Sequence, residues 1–283
     1  MAERDFRVQR AAFRRLHESG CFVIPNPWDV GTARYLRGLG FLALATTSGG
    51  FAFSRGLPDA DWAVPRETML NHVAEIVASV DLPVNADFES GYANEPEGVA
   101  ESVRLCVETG VAGLSIEDAT GDREEPLYEL PLAVERIRAA RAAIDGAGAD
   151  VLLTARAECY LVGHPDPLQE SLLRLRAYAD AGADVLYAPG PKERAEIEAI
   201  VGAVRPKPVN VLMSANTGLS VADLAAMGVR RVSVGSSLAR AAWTGFISAA
   251  KRIADEGSFA GFEGAVPYAE LNGFFRKDAS TRK

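Results

Sequence analysis

Asp87, Glu89, Glu117 and Arg156 are the residues on which chemistry most readily builds. Asp87 and Glu89 stand two apart in Asn85-Ala-Asp-Phe-Glu-Ser-Gly-Tyr92, Glu117 and Asp118 close one apolar run, and Arg156 closes another. Residues two apart on an extended strand point to the same face, so Asp87 and Glu89 are expected to converge. With Glu117 beside them they would repel unless a cation lay between. A hard divalent cation meets that need. Mg2+ takes oxygen ligands, keeps several waters and leaves places for substrate oxygens, and Mn2+ is the alternative ion. The competing reading is that these acids cap helix N-termini, and for Asp118 capping is the simpler one. Arg156 offers a planar fork of donors suited to a carboxylate or phosphonate; otherwise it pairs with Glu117 or Glu158 to hold a rim. Ser48-Gly49-Gly50 offers backbone amides unobstructed by side chains, suited to an anionic carboxylate. Asn210 is the polar residue of a further apolar run.

Other constellations are missing. The sequence holds no convincing Ser-His-Asp set, CxxC zinc site, P-loop or dinucleotide glycine motif. His17 and His72 fall in helical stretches and read as surface residues. His164, in Leu161-Val-Gly-His-Pro165, follows a strand, where it is either structural or close to a site. Cys106 lies on a core-facing stripe, Cys21 begins a strand, and Cys159 follows a strand and faces either the site or the core.

A repeat positions these residues. Segments 40–48, 110–118, 182–189 and 228–235 each begin with glycine and continue as a short apolar strand. Such a glycine relieves the left-handed conformation that ends a helix. Runs 21–27, 82–88, 150–157 and 208–213 fit the same strand role without the glycine, making eight strands. Helices are predicted over 5–19, 30–38, 66–80, 95–109, 131–145, 168–181, 191–203, 220–227 and 237–255. Val73, Ile76, Val77 and Val80 share one helical face, as do Val99, Val103, Cys106 and Val107. Asn94 and Glu97 read as an N-cap and its return acid. Strands alternating with helices imply right-handed crossovers and a parallel sheet. Eight repeats favour a single-domain α/β fold, a (β/α)8 TIM barrel over 1–255 with an N-terminal helix. A doubly wound open sheet is the alternative. In such a barrel chemistry gathers at the C-terminal strand ends, where the acids, Arg156 and Ser48-Gly49-Gly50 fall. Residues 256–283 form a C-terminal helical extension. Its Phe259, Phe262, Tyr268, Leu271, Phe274 and Phe275 are expected to dock on the barrel or on a neighbouring subunit, with the last eight residues frayed.

Composition agrees. The chain has 283 residues, and 38 acids against 30 bases give a net charge of −8. That length suits one barrel of about 250 residues, and the acidic balance argues against nucleic acid. Three cysteines are an odd count that excludes a disulfide scaffold and fits a reducing compartment. No apolar run approaches the roughly 18 residues of a membrane span. Glu3, Asp5 and Glu18 argue against a transit peptide, so a cytoplasmic location is expected.

In their order along residues 20–240, these motifs resemble the isocitrate lyase/phosphoenolpyruvate mutase superfamily. Pro25-Asn-Pro-Trp-Asp29-Val-Gly-Thr-Ala-Arg34 is similar to the family's first strand-to-helix segment. Ser48-Gly-Gly and Gly56-Leu-Pro-Asp59 look like its substrate loop and the acid behind it. Asp87-Phe-Glu89-Ser-Gly-Tyr92 resembles its Asp-x-Asp-Thr-Gly-Tyr motif, and Ile116-Glu117-Asp118 and Thr154-Ala-Arg156 complete the pattern. The resemblance implies Mg2+ on the oxygens of an α-oxo or 2-hydroxy carboxylate. Glu89 would hold the metal, with Asp87 and Glu117 acting largely through water. Ser48, Gly49, Gly50, Asp59, Arg156 and Asn210 would bind substrate. It also implies a homo-oligomer, a dimer or tetramer with an exchanged C-terminal helix, and no nucleic-acid or membrane partner.

Two departures matter. Glu89 is one methylene longer than the family's acid. Family lyases that cleave isocitrate or methylisocitrate carry Lys-x-Cys-Gly-His after the fourth strand, whereas residues 119–128 here hold neither Cys nor His, and the Lys and Asn of the mutase are missing too. Arg123, Tyr128 and Thr120 are the residues of that stretch that could reach inward, so the catalytic candidates are Arg156, Glu117, Tyr128 and Arg123, with His164 a further acid/base candidate. The loop at 119–130 is expected to close and exclude water. The expected activity is Mg2+-dependent C–C cleavage of a small 2-hydroxy or α-oxo polycarboxylate through an enolate. Alternatives are P–C cleavage or rearrangement of phosphonopyruvate, decarboxylation of oxaloacetate, and a catalytically silent metabolite-binding relative.

Overall fold

Glycine-ended helices feeding short buried strands produce one repeating unit. The computed structural model describes residues 5–60 and 62–281. In chain order they form α1 (Arg7–Leu16), β1 (Phe22–Ile24), α2 (Val30–Gly38), β2 (Leu44–Ala45), α3 (Ser48–Ser54), α4 (Arg66–Ser79), β3 (Val84–Asp87), α5 (Pro96–Glu108), β4 (Gly113–Glu117) and α6 (Leu130–Gly146). The chain continues through β5 (Leu152–Arg156), α7 (Pro167–Asp180), β6 (Val185–Tyr187), α8 (Arg194–Ala203), β7 (Val209–Leu212), α9 (Val221–Ala226), β8 (Arg231–Ser233), α10 (Ser237–Glu256), a 3-10 turn (Ala260–Phe262) and α11 (Tyr268–Thr281).

All ladders are parallel, in the order β1-β8-β7-β6-β5-β4-β3-β2. A doubly wound sheet would reverse its strand order part-way, so that alternative is excluded. At the seam between β1 and β2, the Ala45 N–H donates to the Pro25 carbonyl at 3.1 Å. Pro25 and Pro27 have no N–H to give to a ladder, and the side chain of Asn26 serves instead. Its Nδ2 donates to the Thr46 carbonyl at 2.9 Å, and its Oδ1 accepts the Val234 N–H at 3.0 Å. The Pro-Asn-Pro segment thereby ties both neighbours of β1 together.

The core has two parts. Between barrel and helices lie the predicted faces, with Val73, Ile76, Val77, Val99, Val103, Cys106 and Val107 all buried. Each such side chain contributes about 1.5–3 kcal/mol. Inside the barrel, Phe13 of α1 plugs the N-terminal end against Phe22, Ile24, Leu152 and Val185. Gly113 makes room for it, since a Cβ there would lie 2.7 Å from Phe13 Cε1.

Several local expectations are corrected. His17 and His72 are buried, not surface residues. His17 lies one helical turn after Phe13 and meets it edge-on at 4.7 Å, while His72 stacks on Phe51 at 3.7 Å. Asn94 caps no helix; α5 starts with Pro96 after Glu95, and Asn94 Oδ1 instead accepts the Tyr128 hydroxyl at 2.6 Å. The chain end is helical through Thr281 rather than frayed from Arg276; Glu3, Arg282 and Lys283 lie outside the described residues. The aromatic tail docks on the barrel in part. Phe274 packs against Tyr35 at 4.8 Å and over Gly38, whereas Phe259 and Tyr268 remain 69% and 83% exposed. Among the described residues no helix is long and apolar enough to cross a membrane.

Candidate active site

A cavity of about 350 Å3 lies within the barrel, where the C-terminal ends of its strands converge. Arg156, the last residue of β5, stands at its centre. Its Nη1 donates to Asp87 Oδ1 at 2.8 Å and lies 2.5 Å from Glu117 Oε1, while its Nε donates to Glu158 Oε1 at 2.8 Å. Tyr187 presents its ring 5.0 Å from the guanidinium carbon. Burial alone would lower the Arg156 pKa, but Glu117, Glu158 and Asp87 outweigh it and hold the guanidinium firmly charged. In this arrangement Arg156 holds the rim, while its position in the cavity lining keeps it available to a carboxylate ligand.

Burial pushes the carboxyl of Glu117 well up, Arg156 offsets part of this, and Glu158, Asp87 and Glu89 push it further. Glu158 shifts the same way, from burial first. Asp118, behind the rim, positions Glu158. Its Oδ1 accepts the Glu158 N–H at 2.8 Å, and its Oδ2 accepts the Tyr178 hydroxyl at 2.5 Å and Arg174 Nη1 at 3.1 Å. Asp118 is therefore no helix cap.

The Asp87/Glu89 pair is not two teeth of one strand. β3 ends at Asp87, and Glu89 takes a left-handed φ of 47°. Its Oε2 accepts the Trp62 N–H at 3.0 Å and its Oε1 the Tyr92 hydroxyl at 2.9 Å. Trp62 and Tyr92 share its positive φ, and these three are the non-glycine residues with positive φ among the described residues. Such backbone outliers persist where surrounding contacts over-determine them. Glu89 still lines the cavity, but its oxygens are held by the Trp62 amide and the Tyr92 hydroxyl, whereas Asp87 shares Arg156 with Glu117. Glu89→Ala is expected to cost roughly 1–3 kcal/mol of stability in urea unfolding. In calorimetry it should weaken Mg2+ binding less than Asp87→Ala does; the reverse order would make Glu89 the principal ligand.

Ser48-Gly49-Gly50 is the first turn of α3 rather than a loop. The Ser48 amide and hydroxyl donate to Asp87 Oδ2 at 2.9 and 3.1 Å, and the Gly50 amide donates to Thr47 Oγ1 at 3.2 Å. The expected trio of substrate-facing amides thus narrows to Gly49. Gly50 sits behind the wall, where a Cβ would lie 2.6 Å from Thr47 Cγ2. A Cβ on Gly49 would overlap the carboxylate of Asp59, which lines the cavity with its pKa raised by burial and by Asp87.

The loop after β4 supplies no charged side chain to the cavity. A bridge between Ala119 and Leu127 and the Thr120 N–H to Pro126 carbonyl bond at 3.1 Å fold it into a small hairpin. Ala119 and Gly121 line the cavity, whereas Arg123 is exposed and outside the lining. Tyr128 is buried away from it, its hydroxyl on Asn94 and its ring 3.9 Å from the Arg136 guanidinium carbon. Tyr128→Phe is therefore expected to leave turnover unchanged while costing about 1 kcal/mol of stability, measured by steady-state kinetics and thermal melts. Cys159 is fully buried, its thiol pushed up to about 11 by burial, and His164 accepts the Asp166 N–H at 3.2 Å outside the lining. Asn210 does reach the cavity, with Arg231 beside it. Arg231 went unnoticed in the sequence because it sits inside an apolar strand; a charge at the start of such a strand was the available signal.

A divalent metal fits this lining. Five carboxylates (Asp59, Asp87, Glu89, Glu117 and Glu158) face two guanidiniums, Arg156 and Arg231. All the acidic donors are hard oxygens, the ligands Mg2+ prefers. Among the described residues no three acids, histidines or cysteines form a ready cage. Mg2+ commonly uses one or two carboxylates and keeps its waters. Asp87 and Glu117, drawn together on Arg156 Nη1, are the pair placed to do this.

Comparison with known proteins decides the lineage. Residues 13–254 match the family model for phosphoenolpyruvate phosphomutase. The chain belongs to the isocitrate lyase/phosphoenolpyruvate mutase superfamily. Within it, an uncharacterized protein of Mycobacterium tuberculosis is 34% identical over 264 residues, 92% of this chain and 94% of that one. A crystal structure from Burkholderia cenocepacia J2315, described as a lyase/mutase, superposes with a TM-score of 0.91 at 50% identity, covering 96% of this chain and 97% of that one. A phosphonopyruvate hydrolase bound to oxalate and Mg2+ is 27% identical with a TM-score of 0.82, covering 97% and 98%.

Proposed function

We propose that this superfamily member is a Mg2+-dependent carbon–carbon lyase acting on a short 2-oxo or 2-hydroxy dicarboxylate. The observation that carries the reading is Arg156, a fully charged carboxylate clamp held among Asp87, Glu117 and Glu158. Oxalate, seen with Mg2+ in the phosphonopyruvate hydrolase relative, is a planar dianion resembling a carboxy-enolate.

Asp87 and Glu117 would hold the ion, which supplies electrostatic stabilisation of charge developing on the substrate's carboxylate and adjacent oxygen. Arg156 would orient the carboxylate through Nη2, the nitrogen not engaged by Asp87, Glu117 or Glu158. In a 2-hydroxy dicarboxylate the C2 hydroxyl gives its proton to a cavity carboxylate as the C2–O bond becomes a carbonyl, the C2–C3 bond breaks, and its electron pair passes into the enolate of the departing fragment. In a 2-oxo dicarboxylate the C3–C4 bond breaks, carbon dioxide leaves, and the pair passes into the enolate of the remaining 2-oxo acid. The enolate carbon must then take a proton. Asp59 and Glu158, whose pKa values burial raises, line the cavity and are the carboxyl groups placed to supply it. The hairpin at 119–128 lines the cavity beside Gly49 and the β4 acids, and its closure would exclude water.

The apolar side chains exposed along α10, Leu238, Trp243, Phe246, Ile247 and Ile253, support a homo-oligomer joined through this helix. To test the activity, purified protein with Mg2+ or EDTA is followed by NMR in a panel of isocitrate, 2-methylisocitrate, other 2-hydroxy diacids, oxaloacetate and phosphonopyruvate. Mg2+-dependent loss of a carboxylic acid supports the proposal. Loss of phosphonopyruvate alone replaces C–C with P–C cleavage, the reading favoured by the hydrolase relative. No turnover favours a binding role.

A further inference from the structure

One buried cation is left unused by the mechanism above. Arg231 opens β8 on the cavity floor and is only 3% exposed. Its Nε donates to Asn210 Oδ1 at 2.8 Å and its Nη2 to Thr154 Oγ1 at 3.1 Å, but its Nη1 has no partner. Asn210 Nδ2 is fixed in turn on Ser233 Oγ at 2.9 Å. The guanidinium is thus locked in place with one donor edge unsatisfied. Among the described residues no carboxylate forms an ion pair with it. A buried, unpaired guanidinium is costly, and the positive charge of Arg156 adds to that cost. An anion from outside the chain would supply the missing counter-charge.

Position suggests which anion. Arg231 touches Thr154, two residues below Arg156 on β5. At about 3.3 Å per strand residue, Thr154 and Arg156 stand about 6.6 Å apart along β5, so the two arginines act at two levels of the cavity, a spacing suited to the two ends of a short dicarboxylate. Arg156 and Arg231 are the cations of the cavity lining, since Arg123 lies outside it. Across the floor, Asn85 Oδ1 is also unpartnered and needs a donor, which water accompanying the anion supplies.

We infer that Arg231 forms a second anion subsite on the barrel floor, which receives the distal carboxylate of a dicarboxylate whose other end lies at Arg156. The inference rests on the functional reading above and adds chain length as the specificity it imposes. Calorimetry of Mg2+-loaded protein with oxalate, malonate, succinate and glutarate tests it in wild type, Arg231→Met and Arg231→Lys. Oxalate is too short to span both layers, so its affinity should stay within about twofold in both variants. The longer dicarboxylate that binds wild type best should lose at least about 30-fold in Arg231→Met and recover in part in Arg231→Lys. Equal losses for oxalate and the longer acids, or no loss for either, overturn the subsite. Failure of oxalate to bind wild type would instead contradict the metal reading. A wild-type crystal grown with malonate and succinate decides the subsite independently of metal and of variant folding. Carboxylate density within hydrogen-bond distance of Arg231 Nη1 supports it, and water alone there overturns it.

Discussion

Replacing Arg156 with methionine is expected to lower kcat/KM at least about 100-fold and, in the same protein, to tighten Mg2+ binding. Asp87, Glu117 and Glu158 all meet this one guanidinium. Removing the cation from a buried, hydrogen-bonded charge pair with a ligand costs about 3–5 kcal/mol, within the range for such pairs, which corresponds to a factor of roughly 100 to several thousand. Without Arg156 the three carboxylates lose the cation they share and repel one another, and Glu117, already pushed up by burial, is pushed further in the same direction. Mg2+ is the cation able to replace the lost charge, so it should raise the melting temperature of the variant more than that of wild type. Steady-state kinetics, calorimetry and thermal melts with and without Mg2+ read the three effects separately. Unchanged turnover with lowered stability would reduce Arg156 to a rim scaffold.

A second large effect is a loss of stability as pH falls from about 6.5 toward 5. Burial lowers His17 to about 3, helped by the nearby charge of Arg231, and lowers His72 to about 4. Both imidazoles are neutral in the folded protein, whereas in the unfolded chain they take up protons near pH 6.5. Their folded-state pKa values are depressed, so the stability they confer is fully present above about pH 6.5 and is lost as pH falls toward the folded values. Each contributes a slope of up to about 1.4 kcal/mol per pH unit. Urea unfolding at pH 7, 6 and 5 checks the slope, and His17→Phe with His72→Phe should flatten it. A stability independent of pH in that window would mean that both rings are charged in the native state.

The barrel was legible because its signals are local. The glycine-led strands, the helical stripes through Val73 and Val99, and the order of the acidic strand ends each depend on residues close in sequence. The two histidines read as surface residues are buried, and the local signals for that are present: His17 lies four residues after Phe13, and His72 lies on the Met69-Val73-Ile76 face. The i, i+2 argument at Asp87 and Glu89 failed because it assumes that the strand continues. What turns Glu89 is a backbone amide from Trp62, 27 residues earlier, and no pattern near Glu89 reports that contact. Tyr128 was drawn away from the site in the same manner, by Asn94 and Arg136. The Asp118–Arg174–Tyr178 cluster that orients Glu158 joins residues about 60 apart, which single-sequence reasoning cannot pair.

The most direct test of the account is a calorimetric titration of oxalate into the purified protein, once with Mg2+ and once with EDTA. Binding is expected to require Mg2+ and to be lost in Asp87→Ala. Binding of oxalate that is equally strong in EDTA, or no binding under either condition, would contradict the carboxylate–metal site on which the proposed chemistry depends.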